Sequence, residues 1–147
     1  MSNNIKEIIT ARDAVKFATA AGTDMHNRLG RVMIDGGAGR GDPDLISKIK
    51  SVPNLARLFA SDSQTEVPIA GNVGNRFASR RIDRLLVDDA AGIVYVLDYK
   101  TDINPDVFRE RYIAQLHEYA TLLRQIYPKY KIQCMILWLH NWVLESV

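Results

Sequence analysis

Two carboxylates and an ammonium interrupt a stretch of chain that is otherwise suited to a core. The segment Ile93–Lys100, IVYVLDYK, is β-branched and aromatic up to Asp98 and Lys100, a composition that predicts a strand. It is apolar on both faces before Asp98, so the strand is expected at the centre of a sheet. Residues i and i+2 of a strand share a face, so Asp98 and Lys100 emerge side by side at its end. Either charge alone in a core would cost several kcal/mol, which places them at a sheet edge, a cleft or a site. Asp83 lies in the preceding strand, within RIDRLL at 81–86. Antiparallel pairing through a turn at 88–92 brings Asp83 beside Asp98, with Cβ atoms about 4.5–5.5 Å apart if the two oppose on one face. Carboxylates at that separation repel unless a cation lies between them, and hard oxygen donors suit Mg²⁺ or Mn²⁺. The alternative for this motif by itself is a structural ion pair, Asp98 with Lys100 or Asp83 with Arg84.

The elements that must hold these residues are read from periodicity and turn chemistry. Residues 8–34 predict helix, because Met25, Leu29, Val32 and Met33 recur on one helical face. Gly22 is expected to break it, with Thr23 capping the second part. Residues 35–42, DGGAGRGD, hold four glycines in eight positions and predict a loop. That loop matches neither the Walker phosphate cradle nor G-x-G-x-x-G. Residues 43–60 predict helix, with Asp42 as N-cap and Pro43 at the first position, divided by Pro53. Strands follow at 64–70, 76–87 and 93–100, with a hairpin loop at 71–75. A long helix at 105–127, capped by Asn104 and ended by Pro128, leads to a strand at 131–140 and a short fifth at 142–147. This order predicts an α/β fold with one mixed central sheet flanked by helices.

The 147 residues suit a single domain, with 1–60 mainly helical and 64–147 an α/β core. Apolar residues make up 47% and charged residues 24%, an ordinary globular balance. No apolar run has the length a bilayer needs, and the opening MSNNIKEIIT has no secretory h-region, so no membrane and a cytoplasmic setting are expected. The single cysteine, Cys134, agrees with a reducing compartment and excludes a four-cysteine metal site within the chain. A net charge of +2 neither demands nor forbids nucleic acid. Arg76, Arg80, Arg81 and Arg84 crowd one stretch, either to meet phosphates or as a solvated strand face.

RIDRL at 81–85, VLDYKTD at 96–102 and YIAQLHEY at 112–119, in that order and spacing, resemble the signature of the RecB/AddA-type PD-(D/E)XK nucleases. GTDMH at 22–26 resembles the family's histidine-bearing helix, and EVP at 66–68 its glutamate-bearing strand. The resemblance covers residues 22–140 and implies a restriction-endonuclease-like fold with an N-terminal helical segment. It implies Mg²⁺-dependent hydrolysis of mainly single-stranded DNA, with Mn²⁺ able to substitute, during double-strand-break repair and recombination. His26, Asp83, Asp98 and the main-chain carbonyl of Tyr99 would ligate the ion. Lys100 would position or polarise the attacking water and offset transition-state charge. Gln115 and Tyr119, one helical turn apart, would lie near the reacting strand, and Glu66 would support the ion through water or orient a ligand. Without the resemblance, His26 is a packed or capping histidine, and Gln115 and Tyr119 are ordinary helix packing.

The chain lacks a Walker loop and the length of a helicase. The resemblance therefore implies a helicase domain of a parent chain and a second nuclease subunit as partners, with this chain an excised domain or a small stand-alone relative. The likeness of 120–138 to the C-terminus of AddA-type subunits favours excision. The single cysteine separates it from the iron–sulfur branches of the family. Two competing readings are a non-catalytic nucleic-acid-binding or assembly module that kept the fold, and a different PD-(D/E)XK enzyme such as a restriction endonuclease. The pairing of Gln115 with Tyr119 counts against the latter.

Overall fold

The computed structural model describes residues 22–102 and 105–147; the helix expected over 8–21 and the cap expected at Asn104 lie outside them. Five strands form one mixed sheet: β3 (Gln64–Val73), β4 (Arg76–Asp88), β5 (Ile93–Lys100), β6 (Lys131–Trp138) and β7 (Val143–Ser146), neighbours in that order. All pairs are antiparallel except β5 with β6. Parallel pairing needs a crossover, and helix α3 (Pro105–Ile126) supplies it. β5 is third of five, as its continuous apolar run requires.

Side-chain alternation gives the sheet two buried faces. On one, Leu116, Tyr119, Ala120 and Leu123 of α3 cover Ile82, Val94, Val96, Cys134 and Ile136. On the other lies a layer made of helix α1 (22–30), the hairpin β1 (Met33–Asp35) and β2 (Ala38–Arg40), helix α2 (Pro43–Ser51) and a 3-10 turn (Ala56–Phe59). Its Leu29, Val32, Ile49, Leu55 and Phe59 pack on Leu86, Leu97, Tyr99 and Leu137.

The α2 boundaries follow local chemistry. Asp42 accepts from the amides of Asp44 and Leu45 at 2.9 and 3.4 Å, and Pro43 opens the helix. Val52 turns extended (φ −93°, ψ 122°), as a residue before proline prefers. The first helix, however, stops at residue 30. Val32 and Ile34 are buried while Met33 is 40% exposed, a period of two rather than 3.6, and the glycine run is a tight hairpin rather than an open loop. Asp35 pairs with Ala38, and Gly36 takes φ 59° in the two-residue turn between them. Thr23 carries helical backbone within α1 and so does not cap it, while a break at Gly22 concerns residues outside those described. β3 runs to Val73, which shrinks the predicted 71–75 loop to Gly74 and Asn75. Among the described residues, no helix is long and apolar enough to cross a membrane.

Candidate active site

Asp83 sits where the sheet comes apart. β4 pairs with β3 at Val67–Ile82 and Thr65–Arg84, and with β5 from Arg84–Leu97 onward, so Asp83 has no ladder partner on either side. Alternation slips at this point. Ala78 and Ile82 pack beneath α3, yet Leu86 faces the opposite layer. Across the gap Glu66 stands opposite Asp83 in an unbroken register and takes φ 53°, a left-handed kink with no inserted residue. One step beyond the Arg84–Leu97 pair, Asp83 falls opposite Asp98, and their carboxylates come close enough to share a hydrogen bond. The Asp83 carboxylate turns into the gap, and its Oδ2 accepts the Tyr99 N–H at 2.9 Å. Asp98 keeps the parity of Val94 and Val96 and faces α3. The two carboxylates remain close enough that Asp83 helps raise the Asp98 pKa.

His26 reaches this gap from α1. Its Nδ1 lies 2.7 Å from the Gly22 carbonyl, which accepts and so fixes Nδ1 as the protonated nitrogen. Nε2 faces Asp83 Oδ2 at 3.2 Å, and the ring meets Tyr99 edge-on at 5.4 Å. The hydrogen bond to Asp83, opposed by burial, raises the His26 pKa from 6.5 to about 9. Burial pushes the Asp83 carboxyl up, but His26 and the Tyr99 N–H outweigh it and hold the carboxyl below its ordinary value. Burial first, and the Asp83 charge second, push Asp98 up to about 7.

On the α3 side, Lys100 Nζ lies 2.9 Å from Asp98 Oδ2 and 3.2 Å from Gln115 Oε1. It also stands 4.2 Å from the centre of the Tyr112 ring. The Tyr112 hydroxyl donates to Asp102. Neither Tyr112 nor Asp102 stood out in the sequence, although Tyr112 lies one helical turn before Gln115.

Several expected residues stand elsewhere. Tyr119 is buried in the core beneath the sheet, its hydroxyl donating to the Arg81 carbonyl at 3.3 Å; it buttresses β4 just before Asp83. Glu66 is half exposed and pairs with Arg81 at 3.5 Å. The arginine stretch is not one patch. Arg76 and Arg80 pair with Glu118 of α3 at 3.7 and 2.9 Å, while Arg84 is buried. The Arg84 guanidinium donates to the Tyr99 hydroxyl at 2.9 Å, Ser63 Oγ at 2.7 Å and the carbonyls of Leu29 and Val32 at 3.0 and 3.3 Å. It also lies 4.1 Å over the Phe59 ring.

A cleft of ≈ 830 Å³ opens onto the gap, lined by His26, Glu66, Arg81, Asp83, Thr101 and Phe108 among others. Among the described residues, no group of three or more His, Cys, Asp and Glu side chains is arranged around one point to hold an ion, while His26 meets Asp83 and Asp83 meets Asp98 pairwise. The donor chemistry nonetheless fits a hard divalent cation. With Nδ1 engaged by the Gly22 carbonyl, Nε2 is the His26 nitrogen that would meet an ion on losing its proton, and Asp83 Oδ2 stands against it. Asp98 Oδ2 is buried and makes no aligned hydrogen bond despite its ion-pair distance to Lys100. An extended residue projects its N–H and C=O to the same strand edge, so the Tyr99 carbonyl is directed toward β4 and the gap. No family model matches the chain, and no curated protein matches it.

Proposed function

We propose that this chain is a divalent-metal-dependent nuclease domain of the RecB/AddA kind, with a restriction-endonuclease-like fold, hydrolysing phosphodiester bonds of mainly single-stranded DNA. The observation that carries this reading is the meeting of His26 from α1, Asp83 from β4, Asp98 and Lys100 from β5 and Gln115 from α3 at one fork in the sheet. His26, Asp83, Asp98 and the Tyr99 carbonyl would hold Mg²⁺ or Mn²⁺. Such an ion, when bound, lowers the pKa of water and stabilises the departing oxygen. The chain's own residues supply placement. Asp83 is oriented by the Tyr99 amide, and Gln115 restrains Lys100, whose ammonium offsets charge on the pentacoordinate phosphorus. Arg81 and the exposed Phe108 at the cleft rim suit a phosphate and an unstacked base. Double-strand-break repair in the cytoplasm, beside a helicase domain and a second nuclease subunit, is the setting this reading implies.

The test is degradation of labelled single-stranded DNA with Mg²⁺ or Mn²⁺. Asp98→Ala is expected to lower the rate by roughly 10³-fold, and excess chelator to stop the wild type. Undiminished cleavage by that variant sinks the proposal. The competing reading is a nucleic-acid-binding module without catalysis. Calorimetry showing neither Mg²⁺ nor Mn²⁺ affinity, together with no cleavage, would establish it.

A further inference from the structure

We propose that Tyr112, tethered by Asp102, is a positioning residue that holds the Lys100 ammonium in place; the inference rests on the nuclease reading. Lysine ends a flexible four-carbon stem, and misplacement by an ångström costs a reaction heavily. Two polar groups hold Lys100 Nζ, Asp98 Oδ2 at 2.9 Å and Gln115 Oε1 at 3.2 Å. The third wall of its enclosure is the Tyr112 ring, with Nζ 4.2 Å from the centroid. The hydroxyl is engaged at the far end with Asp102, so the ring face and not the hydroxyl meets Lys100. Phe108 and Trp138 pack against the same ring at 6.2 and 6.0 Å and limit its rotation.

This choice of wall has a chemical consequence. A third carboxylate would compete with a phosphate oxygen for the ammonium. A π face attracts the charge electrostatically without a lone pair that must be displaced. Asp102 lies two residues beyond Lys100, just past the end of β5, so the tether is anchored close in the chain to the ammonium it places. The competing explanation is that Asp102 and Tyr112 merely clamp α3 to the sheet.

The experiment uses the full chain with ¹³Cε-labelled lysine, the Lys100 signal being assigned by its loss in Lys100→Arg. The ring current should displace the Lys100 ε-protons upfield in wild type and, to a lesser degree, in Tyr112→Phe, which keeps the ring and loses the tether, and Tyr112→Leu should return them to the position of an exposed lysine. On saturating single-stranded DNA, Tyr112→Leu should lose about ten-fold in kcat with KM within about two-fold, and Tyr112→Phe should fall only about two- to three-fold. An unmoved Lys100 signal in Tyr112→Leu, an unchanged kcat there, or equal impairment of the Phe and Leu variants overturns the proposal. Should Tyr112→Leu fail to fold, Asp102→Asn carries the test. A partial loss of the upfield shift with a several-fold fall in kcat supports the tether, and no change in either overturns it. A wild type that cuts nothing rejects the nuclease reading, while the chemical shifts still decide whether the ring holds the ammonium.

Discussion

At the scale of single residues, Asp98 sets function against stability. It is buried beneath α3 with one oxygen lacking an aligned hydrogen bond, and burial together with Asp83 lifts its pKa from 3.8 to about 7. A group whose folded pKa is raised contributes most below its unfolded value, and that contribution is lost as pH rises through the folded one. The ion-free protein should therefore lose stability from Asp98 between pH 3.8 and about 7. His26, raised from 6.5 to about 9, adds a second loss of the same sign above 6.5. Asp83 works in the opposite sense, its lowered pKa adding stability above 3.8 that is lost in acid. Asp98→Asn should thus abolish cleavage yet stabilise the chelated protein at pH 7. Urea unfolding in chelator, run across pH, should show the variant's curve flattened below pH 7 with the His26 loss intact. A variant no more stable than wild type at neutral pH would show that the Asp98 charge is already well compensated without an ion.

At the scale of elements, the decisive joint is α1 against the sheet, and Arg84 makes it. Its guanidinium takes the carbonyls of Leu29 at the end of α1 and of Val32 just beyond it, together with the Tyr99 hydroxyl. Tyr99 in turn gives its amide to Asp83 and its ring face to His26. Arg84→Met should cost about 2–4 kcal/mol by leaving these buried acceptors unpaired, read as a lowered urea midpoint. Arg84→Lys should recover little, because one ammonium cannot span partners that a planar fork reaches in several directions. Recovery by lysine would mean that charge, not the fork, makes the joint. This element was legible in sequence only in part. The apolar run of β5 predicted its central place, and Asp42–Pro43 predicted the start of α2, because both signals are local. The slip in alternation at Asp83 was invisible, since it goes with a left-handed kink of the neighbouring strand at Glu66. The same slip sends Arg84 inward, which is why a run of arginines that could be either a phosphate-meeting patch or a solvated strand face divides among a buried joint, two pairs with Glu118 and one with Glu66. Tyr119 was placed near the site by the resemblance, and its helical spacing from Gln115 does not distinguish the cleft from the core beneath it.

At the scale of the whole molecule, the candidate site is shared among layers that pack separately on the two faces of the sheet. His26 comes from the α1 layer, Asp83 and Asp98 from the sheet, and Gln115 and Tyr112 from α3. An ion bound by the first three would tie α1 to both strands of the fork, and the unfolded chain offers no such set. Binding to the native state alone stabilises by mass action, about 2.7 kcal/mol at an ion concentration 100 times Kd. For a domain of 147 residues, that corresponds to a rise in Tm of roughly 5–10 °C. Wild type should show this rise with Mn²⁺ and lose it on chelation. Asp98→Asn, already relieved of its buried charge, should show almost none, and His26→Ala should show a reduced rise because the Asp83 and Asp98 carboxylates still stand together. The ordering of the three proteins is the informative result, since a nonspecific effect of the salt would move all of them equally. A rise of the same size in Asp98→Asn as in wild type would place the ion elsewhere and separate metal binding from the fork between β4 and β5.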